Sequence, residues 1–154
     1  YGAQPLRKET FTAGPLFREL VAQFYDSPLA ENCEITLNQT NAAEHAQISV
    51  DRALLARLLE NLLSNSVRHN SESVKICIET EIRENFLYLT VIDNGKGYPP
   101  EILAALNLQE TTENTPHILG LHVVEQIAAA HGGKSIFESN YPSGARTCVW
   151  LPLG

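Results

Sequence analysis

The apolar stretch that follows residue 52 carries two amides and a cation that core packing alone does not require. Asn61 and Asn65 are four residues apart and Arg68 follows three residues later, so the three side chains share one face of a helix. Asparagine is a middling-to-poor helix former. The pattern leaves two interpretations open: a solvated face with incidental amides, or an oxygen ligand for Mg²⁺ beside a positive charge for phosphate.

A second group of polar residues follows a strand-like segment that ends at Asp93. Gly95 and Gly97 come directly after it. A carboxylate at a strand end can accept a hydrogen bond from a ligand amine, and the glycines allow positive φ or a close approach of main chain to ligand. Asp-Asn-Gly is also ordinary turn chemistry, so a plain tight turn is the alternative.

A third candidate is Gly120-Leu121, where a polar loop over residues 107–116 meets the last predicted helix. Main-chain N–H groups in the first turn of a helix can bind phosphate. A simple connection between loop and helix is the alternative for a single glycine at such a place.

Periodicity and turn signals predict the elements that must position these residues. Helical spacing of apolar residues predicts helices over residues 15–26, 52–69, 101–106 and 118–131. Alternation predicts strands over 8–12, 33–37 and 45–50, the last two joined by a polar turn, and hairpins over 74–93 and 134–151. Asp51 is predicted to cap the longest helix. The order predicts an α+β fold, a two-layer α/β sandwich of a mixed or antiparallel sheet with helices on one face.

The composition is that of one globular domain with an acidic surface. The chain has 154 residues and a net charge of −7, which argues against nucleic-acid binding. No apolar run reaches the length of a membrane span. We expect residues 1–8 to be a linker from an upstream region and residues 9–154 to form the domain. Cys33, Cys77 and Cys148 are widely spaced, so we expect reduced thiols.

The three motifs, taken together and in this order, resemble the catalytic and ATP-binding domain of histidine kinases. The resemblance covers about residues 9–154 and places the chain in the superfamily that includes gyrase and the heat-shock chaperone ATPase. Residues 51–98 are similar to the family's asparagine box and first glycine box, and residues 131–133 and 151–152 resemble its C-terminal end. The resemblance implies a Bergerat-type ATP-binding fold.

On the long helix, the resemblance implies a role for four residues. Asn65 would hold Mg²⁺, Asn61 would line the same site one turn earlier, and Arg68 would reach phosphate. Asn65 and Arg68 are therefore the candidate catalytic residues. His69 falls where the family often has an aromatic ring beside adenine.

The resemblance also implies how the remaining residues bind ATP. Asp93 would accept a hydrogen bond from the adenine amine and so select adenine over guanine. Gly95 and Gly97 would let the nucleotide lie close, and Gly120 and Leu121 would be the surviving part of the second glycine box.

The chain departs from the family pattern at the phosphate end. Pro116 and Ile118 stand at two positions where the family has glycine, and the lid over residues 107–116 is short. Ala145 stands where a threonine is frequent. These departures leave the adenine and Mg²⁺ positions intact and put the contacts to phosphate in question.

The resemblance implies the ATP·Mg²⁺-binding catalytic domain of a two-component sensor histidine kinase, which donates the γ-phosphoryl to a histidine on a separate dimerisation domain and acts on a response regulator indirectly. None of the five histidines has a phosphoacceptor setting. We expect this domain to be inactive and monomeric by itself, and to lie in the cytoplasmic part of a membrane-anchored sensor. The alternatives are a non-catalytic nucleotide-binding pseudokinase module and an anti-sigma-factor-like serine kinase or ATPase of the same superfamily.

Overall fold

The computed structural model describes residues 5–68, 70, 72–108 and 116–154. Within them the helices are α1 (Ala13–Phe24), α2 (Asn41–His45), α3 (Arg52–Arg68), α4 (Pro100–Leu108) and α5 (Pro116–Ala130). The strands are β1 (Glu9–Thr12), β2 (Cys33–Gln39), β3 (Gln47–Val50), β4 (Val74–Arg83), β5 (Phe86–Asp93), β6 (Lys134–Ser139) and β7 (Ala145–Pro152).

A five-stranded mixed sheet forms one layer of the molecule. Its strand order is β2-β4-β5-β7-β6, with β2 parallel to β4 and the other neighbours antiparallel. β1 and β3 form a separate antiparallel pair. The predicted α+β sandwich with a mixed sheet and helices on one face is confirmed, and both predicted hairpins are present.

The hydrophobic core lies between the sheet and the helices. The central strands alternate buried and half-exposed side chains, and the buried ones belong to this core. In β5, Leu87 and Leu89 are fully buried, whereas Tyr88 lies on the other face and stacks on Trp150 of β7 with ring centroids 5.7 Å apart. The buried leucines of α3 are Leu55, Leu58, Leu59, Leu62 and Leu63. Burial of each stabilises the fold by roughly 1.5–3 kcal/mol, so α3 holds its polar residues in a fixed position.

α3 and α5 pack antiparallel and are joined at one end by His131. Its Nε2 accepts from the Asp51 N–H at 3.0 Å, and its Nδ1 bonds to the Ile127 carbonyl at 2.9 Å. A main-chain N–H is always a donor, so Nε2 is unprotonated here and Nδ1 carries the hydrogen. Asp51 caps α3 as predicted, since its Oδ1 accepts from the Leu54 N–H at 3.2 Å. The start of α3 and the end of α5 are thereby tied together.

The connection between β2 and β3 differs from the prediction. Residues 41–45 form α2 instead of a polar turn, and Thr40 caps this helix by accepting from the Ala43 N–H at 3.2 Å. The two strands also enter different sheets, because β2 pairs with β4 and β3 pairs with β1. Local sequence pattern does not specify such distant pairings.

Several helix boundaries also differ from the prediction. α1 begins at Ala13 rather than residue 15, α4 extends to Leu108 into the predicted loop, and α5 begins at Pro116 rather than residue 118. Proline is well suited to the first helical turn because it has no N–H to satisfy. The prediction that Gly120 lies at the junction of loop and helix is therefore wrong, since Gly120 lies inside α5.

Some predictions fall on residues outside the described ranges. They are the first four residues of the linker, His69 beside adenine, and residues 109–115 of the lid. Across the described part of the chain, no helix combines the length and the apolar character needed to span a membrane.

Candidate functional site

Asp93 at the end of β5 is a buried carboxylate on which donors from three elements converge. It is 5% exposed. Ser66 of α3 donates its hydroxyl to Oδ2 at 2.6 Å, and the main-chain N–H groups of Gly95 and Ala145 donate to Oδ1 at 2.9 and 3.1 Å. A buried carboxylate needs such donors to offset the loss of water. They hold the group in one orientation.

The loop after β5 is held against the end of α3 by Asn70. Its Nδ2 donates to a carbonyl in the last turn of α3 at 2.5 Å, and its Oδ1 accepts from the Lys96 N–H at 2.9 Å. A Cβ on Gly95 would lie 2.3 Å from Asn70 Nδ2. Gly97 has a φ of 79°, and a Cβ there would lie 2.6 Å from a carbonyl oxygen of the β6–β7 turn. Position 97 therefore requires glycine for the fold itself, whereas a side chain at position 95 would displace the Asn70 amide from its two bonds.

These elements enclose a cavity of about 190 Å³. Its lining combines the polar end of α3, the loop after β5 and the start of β7. The lining residues are Asn65, Ser66, Asn70, Asp93, Lys96, Gly97, Tyr98, Pro99 and Ala145. A small, largely apolar cavity with a few fixed polar groups is the usual form of a site for a flat organic ligand.

Tyr98 forms part of the wall and is itself held by its neighbours. Its hydroxyl bonds to Thr147 Oγ1 at 2.5 Å, and its ring meets Phe137 edge to face with centroids 5.9 Å apart. Burial raises the pKa of Tyr98, and the negative charge of Asp93 raises that pKa further, whereas the bond to Thr147 lowers it. Tyr98 is therefore a neutral, fixed wall at all ordinary pH values.

Asn65 differs from these residues because one atom of its side chain lacks a hydrogen-bond partner among the described residues. Its Oδ1 is buried, and within the described residues no donor satisfies it. One turn earlier, Asn61 Nδ2 donates to the Gly120 carbonyl of α5 at 3.3 Å. A buried carboxamide oxygen without a partner is costly. Such an atom beside a cavity is a ready ligand for a cation or a water.

The sequence matches a known family over the part of the chain that carries these features. A model of the histidine kinase-, DNA gyrase B- and HSP90-like ATPases matches residues 50–154. This span contains every residue that lines the cavity. The chain belongs to this ATPase family.

Within this family, the individual proteins that the chain resembles are histidine kinases. The sensor histidine kinase YvrG of Bacillus subtilis is 30% identical over 139 residues, which are 85% of this chain and 23% of YvrG. The catalytic domain of histidine kinase ThkA matches with a TM-score of 0.80 at 25% identity, covering 96% of this chain and 97% of that domain. ThkA in complex with the response regulator TrrA matches with a TM-score of 0.75 at 24% identity, covering 96% of this chain and 42% of that one.

The chain is thus a domain of this ATPase family with the fold of a histidine-kinase catalytic domain. It spans about a quarter of the length of the curated relatives it matches. The match to the ATPase family and the likeness to histidine kinases both agree with the expectation from the three sequence motifs.

The structure brings together some of the predicted site residues of this ATPase-family domain. Asn65, Asp93 and Gly97 line the cavity, and Gly95 lies behind this wall, where its N–H donates to Asp93. Asn61 lies one turn away and contacts Gly120 instead of the cavity.

Three other predicted residues lie elsewhere. Arg68 is exposed on the last turn of α3, and among the described residues no acidic group forms an ion pair with it. Leu121 is fully buried in the core, so its side chain faces other apolar groups. Gly120 lies in α5, where an added Cβ would meet nothing within 4 Å.

The ligand atoms of the site determine whether a magnesium ion fits there. Within the described residues no group of three or more His, Cys, Asp or Glu side chains could hold a metal. Magnesium, however, usually keeps several waters and takes few protein ligands when phosphate supplies the rest. The unpartnered Oδ1 of Asn65 is suited to that role, so the residues present fit the ion.

Several residues that line the cavity were not anticipated from the sequence, and two of them contact the carboxylate or its loop. Ser66 and Asn70 both line the cavity and both bond to the segment around Asp93. The available signal for Ser66 was its polar side chain, directly after Asn65, on the side of α3 that carries the buried leucines. Asn70 lies beyond the helix and had no periodic signal.

Proposed function

We propose that this domain binds ATP with Mg²⁺ and donates the γ-phosphoryl group to a histidine on a separate dimerisation domain of a longer sensor kinase. The observation that carries the proposal is the Asp93 carboxylate, buried in the wall of the cavity and oriented by three donors. The family match and the likeness to histidine kinases support it.

Asp93 would select the base. The carboxylate accepts hydrogen bonds and cannot donate them, so it favours the amine of adenine over the carbonyl of guanine at the same place. The cavity beside it has room for a ring and little else, and Tyr98 and Pro99 supply apolar wall.

Asn65 would hold the metal through its Oδ1. When bound, Mg²⁺ neutralises negative charge on the phosphates and so favours their transfer. The main contribution of the chain to such a reaction is positioning: α3 is fixed by its buried leucines, and Asn65 projects from it. Arg68, exposed one turn later, is free to move toward a phosphate.

The transfer itself would need a partner domain. In the proposed step a nitrogen of the acceptor imidazole bonds to the γ-phosphorus, the bond to the bridging oxygen breaks, and ADP leaves. The relatives are sensor kinases about four times as long as this chain, and one structural neighbour is a kinase bound to a response regulator. We therefore assign this domain to the cytoplasmic part of a membrane-anchored sensor that acts on a response regulator.

The test uses the protein that contains this domain together with its own dimerisation domain, incubated with γ-labelled ATP and Mg²⁺. We expect label that is lost in acid, as phosphohistidine is, and no label on the domain of residues 1–154 alone. The same protein carrying Asp93→Asn should lose the label, whereas one carrying the exposed control Asp26→Asn should keep it. Acid-stable label would point instead to a serine kinase.

One observation favours a second function, a nucleotide-binding module without transfer activity. α5 begins at Pro116 and runs through Ile118, the two positions where the resemblance leads one to expect glycine. A regular helix there offers phosphate fewer free N–H groups than a glycine-rich loop would. Binding of ATP without any label on the full-length protein would favour this second function.

A further inference from the structure

The Asp93 carboxylate has little hydrogen-bonding capacity left in the free protein. A carboxylate offers about four lone-pair positions, two on each oxygen. The N–H groups of Gly95 and Ala145 take both positions on Oδ1, and the Ser66 hydroxyl takes one on Oδ2. A ligand must therefore bind at the one position that remains on Oδ2.

The Ser66 hydroxyl is constrained in the same way. It has one hydrogen, and that hydrogen is committed to Asp93 at 2.6 Å. A carboxylate has no hydrogen to donate, so the hydroxyl is the donor in this bond. What Ser66 still offers is a pair of oxygen lone pairs, in a side chain that is 7% exposed and lines the cavity.

The polar wall formed by Ser66 Oγ and Asp93 Oδ2 thus presents two neighbouring acceptors. A free serine hydroxyl can turn to donate to a carbonyl oxygen, but this one cannot do so without giving up its bond to a buried carboxylate. A ligand with an amine at this place finds acceptors for its hydrogens. A ligand with a carbonyl finds two oxygens facing a third, a contact that is repulsive and leaves a buried acceptor unpaired.

We propose that Ser66 is a specificity-determining residue of the base site, which excludes 6-oxopurine nucleotides because its only hydrogen is held by Asp93. The inference rests on the proposed binding of adenine at Asp93 and deepens it: the ligand class is a nucleotide with an amine, and not a carbonyl, at position 6 of the purine. Asp93 attracts the correct base, and Ser66 contributes to rejection of the wrong one.

The experiment compares ADP with inosine diphosphate, which carries a carbonyl where ADP carries the amine. Calorimetric titrations of the folded domain give the ratio of the two dissociation constants. In Ser66→Ala we expect this preference for ADP to fall about fivefold or more, because one of the two acceptors has gone. Ser66→Thr keeps the hydroxyl and should keep the ratio within about twofold.

Ser64→Ala is the matched control, since it makes the same chemical change on the same helix away from the cavity. It should leave the ratio unchanged. If Ser66→Ala weakens both nucleotides equally, or changes neither, Ser66 only supports the fold and the inference is overturned. Failure of the proposed function would look different, because the unmodified domain would then bind neither nucleotide or show no preference for ADP.

Discussion

The two ends of the proposed ATP site are built in contrasting ways. At the base end, α3, the loop after β5 and β7 each send a hydrogen-bond donor to one buried carboxylate. At the phosphate end, the described residues supply the Asn61–Gly120 bond at 3.3 Å, the unpartnered Oδ1 of Asn65 and an exposed Arg68.

This difference indicates where the free protein is already organised for its ligand. The base end has met its hydrogen-bonding needs within the fold, so we expect it to bind adenine with little rearrangement. The phosphate end keeps its polar groups available, and we expect the ligand and the metal to complete it. We expect changes at the base end to lower stability and weaken binding together, and changes at the phosphate end to leave the free protein at least as stable.

The largest effect is expected for Asp93→Asn. An amide cannot accept from Ser66, Gly95 and Ala145 at once, because one of its two terminal atoms is a donor. Unfolding by urea should show a loss of about 1–3 kcal/mol, and calorimetry should show ADP binding weakened more than about tenfold. The exposed Asp26→Asn serves as the control. Unchanged ADP affinity with intact folding would remove Asp93 from the base site.

Two glycine-to-alanine changes should have opposite effects on stability. Gly97→Ala forces a positive φ and a close contact in the loop, which should cost about 1–2 kcal/mol or more. Gly120→Ala lies within α5 with open space around it and should stabilise the free protein by up to about 1 kcal/mol. Thermal unfolding measures both. Loss of ATP affinity in a stabilised Gly120→Ala would show that phosphate approaches α5 closely.

Asn65→Ala should act on the metal and spare the fold. It removes a buried oxygen without a partner and adds a better helix former, so the free domain should be equally or more stable. Binding of a non-hydrolysable ATP analogue without Mg²⁺ should stay within about twofold, while the gain in affinity on adding Mg²⁺ should largely disappear. Equal losses with and without Mg²⁺ would mean that Asn65 shapes only the helix.

The smallest effect is expected for Tyr98→Phe, which leaves Thr147 without its buried partner at a cost of about 1 kcal/mol near neutral pH. The pKa of Tyr98 is raised in the folded state, chiefly by burial. Its contribution is therefore present below the ordinary tyrosine pKa of about 10 and is lost as pH rises further.

Denaturant titrations between neutral pH and pH 11 check this prediction. The Tyr98→Phe protein should lose stability less steeply above pH 10, although Cys33 and Cys77, whose pKa values are also raised by burial, leave part of the slope in place. Parallel curves for the two proteins would show that Tyr98 is not held as a neutral buried phenol.

Much of the fold followed from local pattern. The leucine stripe of α3 predicts the helix directly. The alternation in β4, β5 and β7 predicts hairpins, because each hairpin strand pairs with its neighbour in the chain. The parallel pairing of β2 with β4 and the entry of β3 into a second sheet depend on contacts between distant segments, which no local period encodes. α2 is too short to show a helical period.

The site divides in a similar way. Asp93 and Gly97 could be identified because a strand that runs into an acidic residue and spaced glycines is a compact signal. The role of Ser66 could not, because it arises only when α3 packs against the end of β5 and brings together two residues 27 positions apart. For Arg68 and Leu121 the reverse holds. The motif identifies these positions in the sequence, but the fold determines the environment of each side chain.

The most direct test of this account is a crystal structure of the domain with ADP. We expect the adenine amine nitrogen about 2.9 Å from Asp93 Oδ2, the oxygen with an open acceptor position, with Oδ1 still bonded to Gly95 and Ala145. The Ser66 hydroxyl should keep its bond to Oδ2. A base bound elsewhere in the domain, or an amine on Oδ1 with the Gly95 and Ala145 bonds broken, would contradict the account.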